Sequence, residues 1–281
     1  MDKGKHFLFC ILLFGVGAVL FFQTSCKTPK CAAKQFVKQT DSICLLLLPS
    51  SYIIKNNLKL NDIEDFDSLD DEIKDSLSAT LTLFLNSIND SLFQTSFYSE
   101  IVSEMKSLGY RVYGPSQIIE FITKPPGNTY VVEIVQLQLE EFSEWYDVDY
   151  DFVLPSQQND FLLNGITLSV WLKEAKANSD SSNRILFSEY TNKDKLKGQY
   201  SLDFNTGDMF YLLKSKSYLE QSHVDSLWLP AAKQVSQYLS DYYMNNFVSK
   251  QFKGNINLPY YSYNATKHKV KIARSGRFII M

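Results

Sequence analysis

Acid–base or nucleophilic chemistry near neutral pH most often uses histidine, and this chain has three. His6 lies in the apolar amino-terminal stretch, which leaves His223 and His268. His223 sits among Gln221, Ser222 and Asp225 at a predicted helix start, and His268 lies in a basic stretch. A Ser-His-Asp arrangement would need one of them, but a polar-flanked histidine of this kind reads as a surface residue. An acid–base pair of carboxylates is the other general route to hydrolysis. Its conspicuous candidate is Glu133, between Val132 and Ile134 in a predicted strand, where a structural salt bridge is the simpler role. Asp147, Asp149 and Asp151 alternate as at the start of a calcium loop. Phe152 stands where that loop needs Gly, however, and Gln158 where it needs a bidentate Glu, so a solvated acidic face is the better reading. The chain has no P-loop, dinucleotide glycine pattern, H-E-x-x-H or G-x-S-x-G. We therefore expect no catalytic, cofactor or metal residues, and read the chain as a non-enzyme.

Composition narrows the class further. The 281 residues are 45% hydrophobic and 21% charged, as in an ordinary globular chain, with a net charge of −3. That balance argues against a nucleic-acid binder. The charge is unevenly spread. After Asp241 there is no acid, and Lys250, Lys253, Lys267, Lys269, Lys271, Arg274 and Arg277 stand among Tyr260, Tyr261, Tyr263, Phe278, Ile279 and Ile280. This stretch, 251–281, reads either as a solvated basic tail or as a docking segment for an anionic surface or partner. Its candidate contacts are Lys267, Lys269, Lys271, Arg274 and Arg277, and the apolar terminus favours docking. The alternation of Lys267, Lys269 and Lys271 with Val270 and Ile272 also permits an edge strand.

The elements that would carry these residues follow from periodicity. Ile43 to Leu48 is an apolar run closed by Pro49, the pattern of a strand buried on both faces. Residues 62–75 hold eight acids against Lys74 and read as a loop and an acidic helix start. Leu77, Leu81, Phe84, Ile88 and Leu92 predict one amphipathic helix over 76–93. Tyr98, Ile101, Val102, Met105 and Leu108 predict a second, ending at Gly109. Tyr110 to Tyr113 is a short strand, with Gly114-Pro115 as a turn, Ser116 as a cap and Gln117 to Phe121 as a short helix. Pro125-Pro126-Gly127 breaks the chain before a long strand, 130–139, apolar on both faces. Alternation at Ile166, Leu168, Val170 and Leu172 predicts a half-buried strand; 185–190 and 198–204 are further strands, and 227–247 is a helix with Pro230 in its first turn. The expected fold is α+β or α/β: a mixed sheet flanked by helices, a single compact domain with an antiparallel extension.

The first residues speak to compartment. Lys3 and Lys5 precede a 16-residue apolar run, Phe7 to Phe22, that ends at Gln23-Thr24-Ser25-Cys26. This is the layout of a secretory signal, and the run is short for a membrane span. Thr24-Ser25-Cys26 resembles a bacterial lipobox, with Gln23 in place of the usual Leu. The resemblance implies acylation of the Cys26 thiol and removal of residues 1–25; the alternative is an uncleaved inner-membrane signal anchor. Residues 26–42 then read as a lipidated tether, 43–250 as the periplasmic domain and 251–281 as the basic tail. Relaxed boxes ending in Ser-Cys resemble those of lipoproteins in Bacteroidota-like bacteria, and Lys27-Thr28-Pro29-Lys30 lacks the acids that follow the cysteine in the surface-exported lipoproteins of such bacteria, which implies a periplasmic face. Of the remaining cysteines, Cys31 and Cys44 could form a disulfide, while Cys44 in its apolar run is equally well read as a buried thiol.

The order from Ile43–Pro49 through Leu108-Gly109-Tyr110-Arg111-Val112 to the strand at 130–139 resembles periplasmic α/β lipoprotein domains. These include the TolB amino-terminal domain, the curli-secretion lipoprotein and the penicillin-binding-protein activators. The resemblance covers residues 43–250, brings no catalytic residue and implies a scaffold or regulator of an envelope assembly such as secretion, outer-membrane biogenesis or wall synthesis. Its expected partners are the membrane, through the lipid, and envelope proteins. The alternative is a glycan- or small-ligand-binding lipoprotein that uses Trp145, Tyr146 and Trp171. Asp-Ser followed by an apolar residue, at Ser42, Ser68, Ser76, Ser91 and Ser226, resembles the O-glycosylation acceptor of exported Bacteroidota proteins and also suits helix capping.

Overall fold

The computed structural model describes residues 28–124, 128–146, 161–176, 184–207, 209–253, 255, 257–274 and 276–281. It holds the expected mixed sheet flanked by helices, and the chain groups into two units. The larger comprises 40–242 with 275–281; the smaller takes in 28–39 and 243–274.

In the larger unit the apolar run forms β1 (Cys44–Leu48), held parallel between β3 (Arg111–Tyr113) and β4 (Thr129–Tyr146). Two ladders and two covered faces explain its uninterrupted hydrophobicity, and burying Leu45 or Leu47 stabilises the fold by about 1.5–3 kcal/mol each. Beyond Pro49 the chain pairs with β4 again as β2 (Ile53–Asn57), also parallel. The other edge of β4 pairs antiparallel with β5 (Phe161–Lys176), with a register shift between Ile134 and Gln136. Then come β6 (Arg184–Lys193) and β11 (Ile279–Ile280), which complete the expected antiparallel extension. Gly165 lies under the ring of Phe142, where a Cβ would come within 2.3 Å of Cζ.

Helices cover one face of this sheet. α3 (Asp90–Ser107) starts at Asn89, whose side chain accepts the Leu92 N–H, and buries Phe93, Phe97, Ile101 and Met105 in one stripe. It ends as expected at Gly109, whose φ of +93° suits glycine alone at low cost; its N–H donates to the Lys106 carbonyl. The first part of α6 (Trp228–Gln251) buries Ala231, Ala232, Val235 and Leu239. The short α5 (Gln221–Asp225) precedes it. β7 (Lys195–Leu202) and β8 (Met209–Ser217) form a separate hairpin. Asp194, just before it, is 3% exposed and accepts the N–H groups of Asn164 and Leu219.

The expected helix over 76–93 is two. α2 (Asp71–Leu81) opens with Asp71 and Glu72 in its first turn, stops at Leu81, and leaves 82–89 non-α-helical before α3. Leu92, expected on the apolar face, is 66% exposed. The cause is Glu141 on β4. Its buried carboxylate accepts the N–H groups of Leu83 (2.8 Å), Phe84 (3.0 Å) and Leu85 (3.2 Å), which a continuous helix would have used internally. The Lys59 ammonium takes the Leu81 carbonyl and also pairs with Glu141.

In the smaller unit the expected tether is helical from its fourth residue. Thr28 caps α1 (Pro29–Val37), Pro29 stands at its first position, and Ala32, Ala33 and Phe36 are buried. The Phe36 and Phe247 rings lie 5.6 Å apart. Most of the expected basic tail is also folded. β9 (Tyr261–Asn264) and β10 (Lys269–Ile272) form an antiparallel hairpin, and the Asn245 amide brackets the backbone N–H and carbonyl of Tyr261. Among the described residues no helix is long and apolar enough to cross a membrane.

Candidate functional site

The titratable groups singled out in the sequence do not converge. His223, in α5, uses Nδ1 to accept the Glu220 N–H at 3.3 Å, a capping contact. His268, in the β9–β10 turn, has φ +47° and Nδ1 at 3.2 Å from the Tyr263 hydroxyl. Glu133 stands opposite Lys173 in the β4–β5 register. Cys44 is a buried thiol in no disulfide, and Cys31 lies exposed on α1. Cys26, Asp147, Asp149 and Asp151 lie outside the described residues. Among those described, no three His, Cys, Asp or Glu gather as metal ligands.

What the fold does assemble is a surface. α3 and the first part of α6 pack on the sheet face that carries Glu174 and Ser188, to which Tyr242 and Gln234 donate; Tyr98 of α3 donates to the Leu47 carbonyl, and Lys55 of β2 donates to the Ile88 carbonyl just before α3. On the opposite face, α4 (Ile118–Ile122) places Phe121 against Cys44, Leu46 and Tyr113, with Val131 beside them. Farther along, that face is built from side chains in cross-strand rows, because residues paired in a sheet share a face. The register aligns Glu133, Lys173 and Ile185; then Gln136, Trp171, Phe187 and Ile279; then Gln138, Ser169 and Glu189; then Glu140, Thr167 and Thr191. Trp171 and Phe187 are half-buried with ring centroids 4.9 Å apart, and Ile279 is 59% exposed at the edge. Along β4 the Gln136 amide donates to Gln138 (2.8 Å), and Gln138 donates to Glu140 (2.7 Å). An aromatic and aliphatic row framed by polar rows has the anatomy of a partner-binding hot spot.

Of the three aromatics expected to bind a ligand together, Trp171 belongs to this face. Trp145 pairs with Leu162 and lies on the opposite side of the β4–β5 ribbon, 68% exposed. Tyr146 ends β4, and its side chain is not described. The surface had a legible signal: Gln-Leu-Gln-Leu-Glu at 136–140 alternates, so 130–139 is not apolar on both faces throughout. Phe187 had no local mark, and nothing in the sequence brought Ile279 to it.

Two other features have chemical character. A groove of about 400 Å³ lies between α3 and the start of α6, lined by Ile88, Leu92, Phe93 and Trp228 with Asn89 and Asp225. Under α6, Arg184 donates to the Tyr242 hydroxyl (2.9 Å), which donates to Glu174 (3.3 Å). Hydrogen bonding and charge from Tyr242 raise the Arg184 pKa, while burial and the Glu174 charge raise that of Tyr130. Of the basic candidates, Lys267 lies in the hairpin turn, Lys269 and Lys271 share one exposed hairpin face with Asn264 and Ser262, and Arg274 and Arg277 are exposed.

No protein-family model matches the chain, and no curated protein matches it in sequence.

Proposed function

We propose that this chain is an outer-membrane lipoprotein, anchored through Cys26 and facing the periplasm, that acts without catalysis as a scaffold or regulator of an envelope assembly. The observation that supports this most is the Trp171–Phe187–Ile279 row, set in polar rows on a sheet face, rather than a cleft of convergent titratable groups. Such a surface suits an extended protein partner, with the aromatic pair as anchor and the glutamine ladder as rim. The test is affinity purification of the detergent-extracted protein from envelopes. A reproducible partner is expected, lost with Trp171→Ala or Phe187→Ala at little cost in melting temperature. Repeated recovery of the wild-type protein alone would overturn the reading.

The groove beside Trp228 supports a second reading, a lipoprotein that holds a glycan or small ligand, because an aromatic wall with amide and carboxylate groups suits a polyol. A bound sugar displaced by Trp228→Ala, with partner capture unchanged, would favour it.

A further inference from the structure

The smaller unit has a one-sided charge. Its described residues carry Lys30, Lys34, Lys38, Lys250, Lys253, Lys267, Lys269, Lys271 and Arg274 and not one Asp or Glu. The larger unit carries nearly all the chain's acids, so the chain's net charge of −3 conceals two opposed charges.

The placement of these bases is systematic. Lys30, Lys34 and Lys38 recur every four residues along α1 and its C-cap, all exposed, on the side away from the buried Ala32, Ala33 and Phe36. On the hairpin, Tyr261 and Val270 are buried on one face, while Lys269 and Lys271 project from the other.

We infer that the smaller unit is a docking module for anionic phospholipid headgroups. Two observations select a membrane over a soluble anion. The bases are spread over an exposed helix side and an exposed hairpin face rather than gathered in a pocket that would hold one soluble anion. Thr28, which caps α1, is two residues from Cys26, a reach of at most ~7 Å from the residue that would carry the acyl chains. This last point rests on the anchoring reading; the charge distribution does not. A lipid anchor combined with a basic patch is a two-signal membrane attachment.

The experiment uses the full chain, purified in detergent and reconstituted into vesicles of neutral phosphatidylcholine or of phosphatidylcholine with a third phosphatidylglycerol. Lysines are labelled with an amine-reactive reagent and quantified by mass spectrometry. Labelling of Lys30, Lys34, Lys38, Lys267, Lys269 and Lys271 should fall several-fold in anionic vesicles and recover in high salt. Lys195 and Lys197, exposed on the β7 hairpin, serve as internal references. The triple variant Lys34→Glu, Lys269→Glu, Lys271→Glu alters exposed positions alone. It should lose the protection, each removed base weakening docking about fivefold. Intact mass reports acylation separately, so an unacylated chain that keeps composition-dependent protection defeats the anchoring reading and not this one. Equal labelling in the two vesicle types, or equal protection by inorganic phosphate or a soluble acidic polysaccharide at matched charge, would overturn the inference.

Discussion

The Glu141 carboxylate and the Lys59 ammonium meet at 2.7 Å with their side chains 0% and 8% exposed, joining positions 82 residues apart. With the N–H groups of Leu83, Phe84 and Leu85, this pair fixes where one helix stops. Removing one member of a buried pair strands the other charge and typically costs about 3–5 kcal/mol. Glu141→Ala should fall in that range by urea unfolding, with faster amide exchange at Leu83, Phe84 and Leu85. Lys59→Met should cost less, because the carboxylate keeps its three backbone donors. Unchanged exchange at those amides in Glu141→Ala would refute this account of the break.

Buried tyrosines set the alkaline limit. Burial pushes the Tyr110 phenol well above its ordinary 10.0, with a smaller raising contribution from the Asp241 charge. Tyr130 shifts the same way, through burial and then the Glu174 charge. A folded-state pKa above the unfolded one means that above pH ~10 the unfolded chain gives up protons the folded chain retains. Stability from these groups is therefore complete below pH 10 and declines above it. Denaturant midpoints between pH 8 and 12 should show that decline, and tyrosinate absorbance should rise in a late step coincident with unfolding. Tyr110→Phe should flatten the slope.

Anchoring has its own test. Cys26→Ala should leave an unprocessed precursor or release the chain from the outer membrane, and protease added to intact cells should leave the wild-type protein uncut. Unchanged mass and fractionation in the variant would exclude the lipoprotein assignment, and digestion from outside would place the protein on the cell surface.

Truncation after Phe252 removes Tyr261, Val270 and Phe278, which are 4%, 7% and 6% exposed. At about 1.5–3 kcal/mol for each buried side chain, a marked fall in melting temperature is expected. An unchanged melting curve would mean that this stretch contributes little to the fold.

Much of this architecture is legible locally. The apolar run of β1, the glycine stop at 109, the alternation in β5 and the long helix around Leu239 each leave a mark within a few residues. The helix break does not, since it depends on a carboxylate more than fifty residues downstream. α1 did carry a signal: Thr28-Pro29 is a cap followed by a first-turn proline, and only its polar, basic composition made it read as a tether. The candidate surface was half legible. Trp171 stands out by type, but its separation from Trp145 and its meeting with Phe187 follow from strand register, which is set by a shift at Ile134 and Gln136 and by hairpin pairing.

β4 serves three neighbours at once: β5 along one edge and, end to end along the other, β1 and β2. The antiparallel seam begins at Tyr146 and Phe161, fifteen positions apart, whereas the parallel seam joins Cys44 to Thr129, eighty-five apart. The longer closure costs about 1.5 kcal/mol more in chain entropy. The sheet should thus assemble in a fixed sequence in time, the β4–β5 ribbon zipping first and serving as a template onto which the amino-terminal strands are captured. In pulse-labelled refolding, amides of the ribbon should become protected before those of Leu45 and Leu47. The hydrophobic run 43–48, avid and unpaired until then, is the segment that most needs shielding while the chain is still folding.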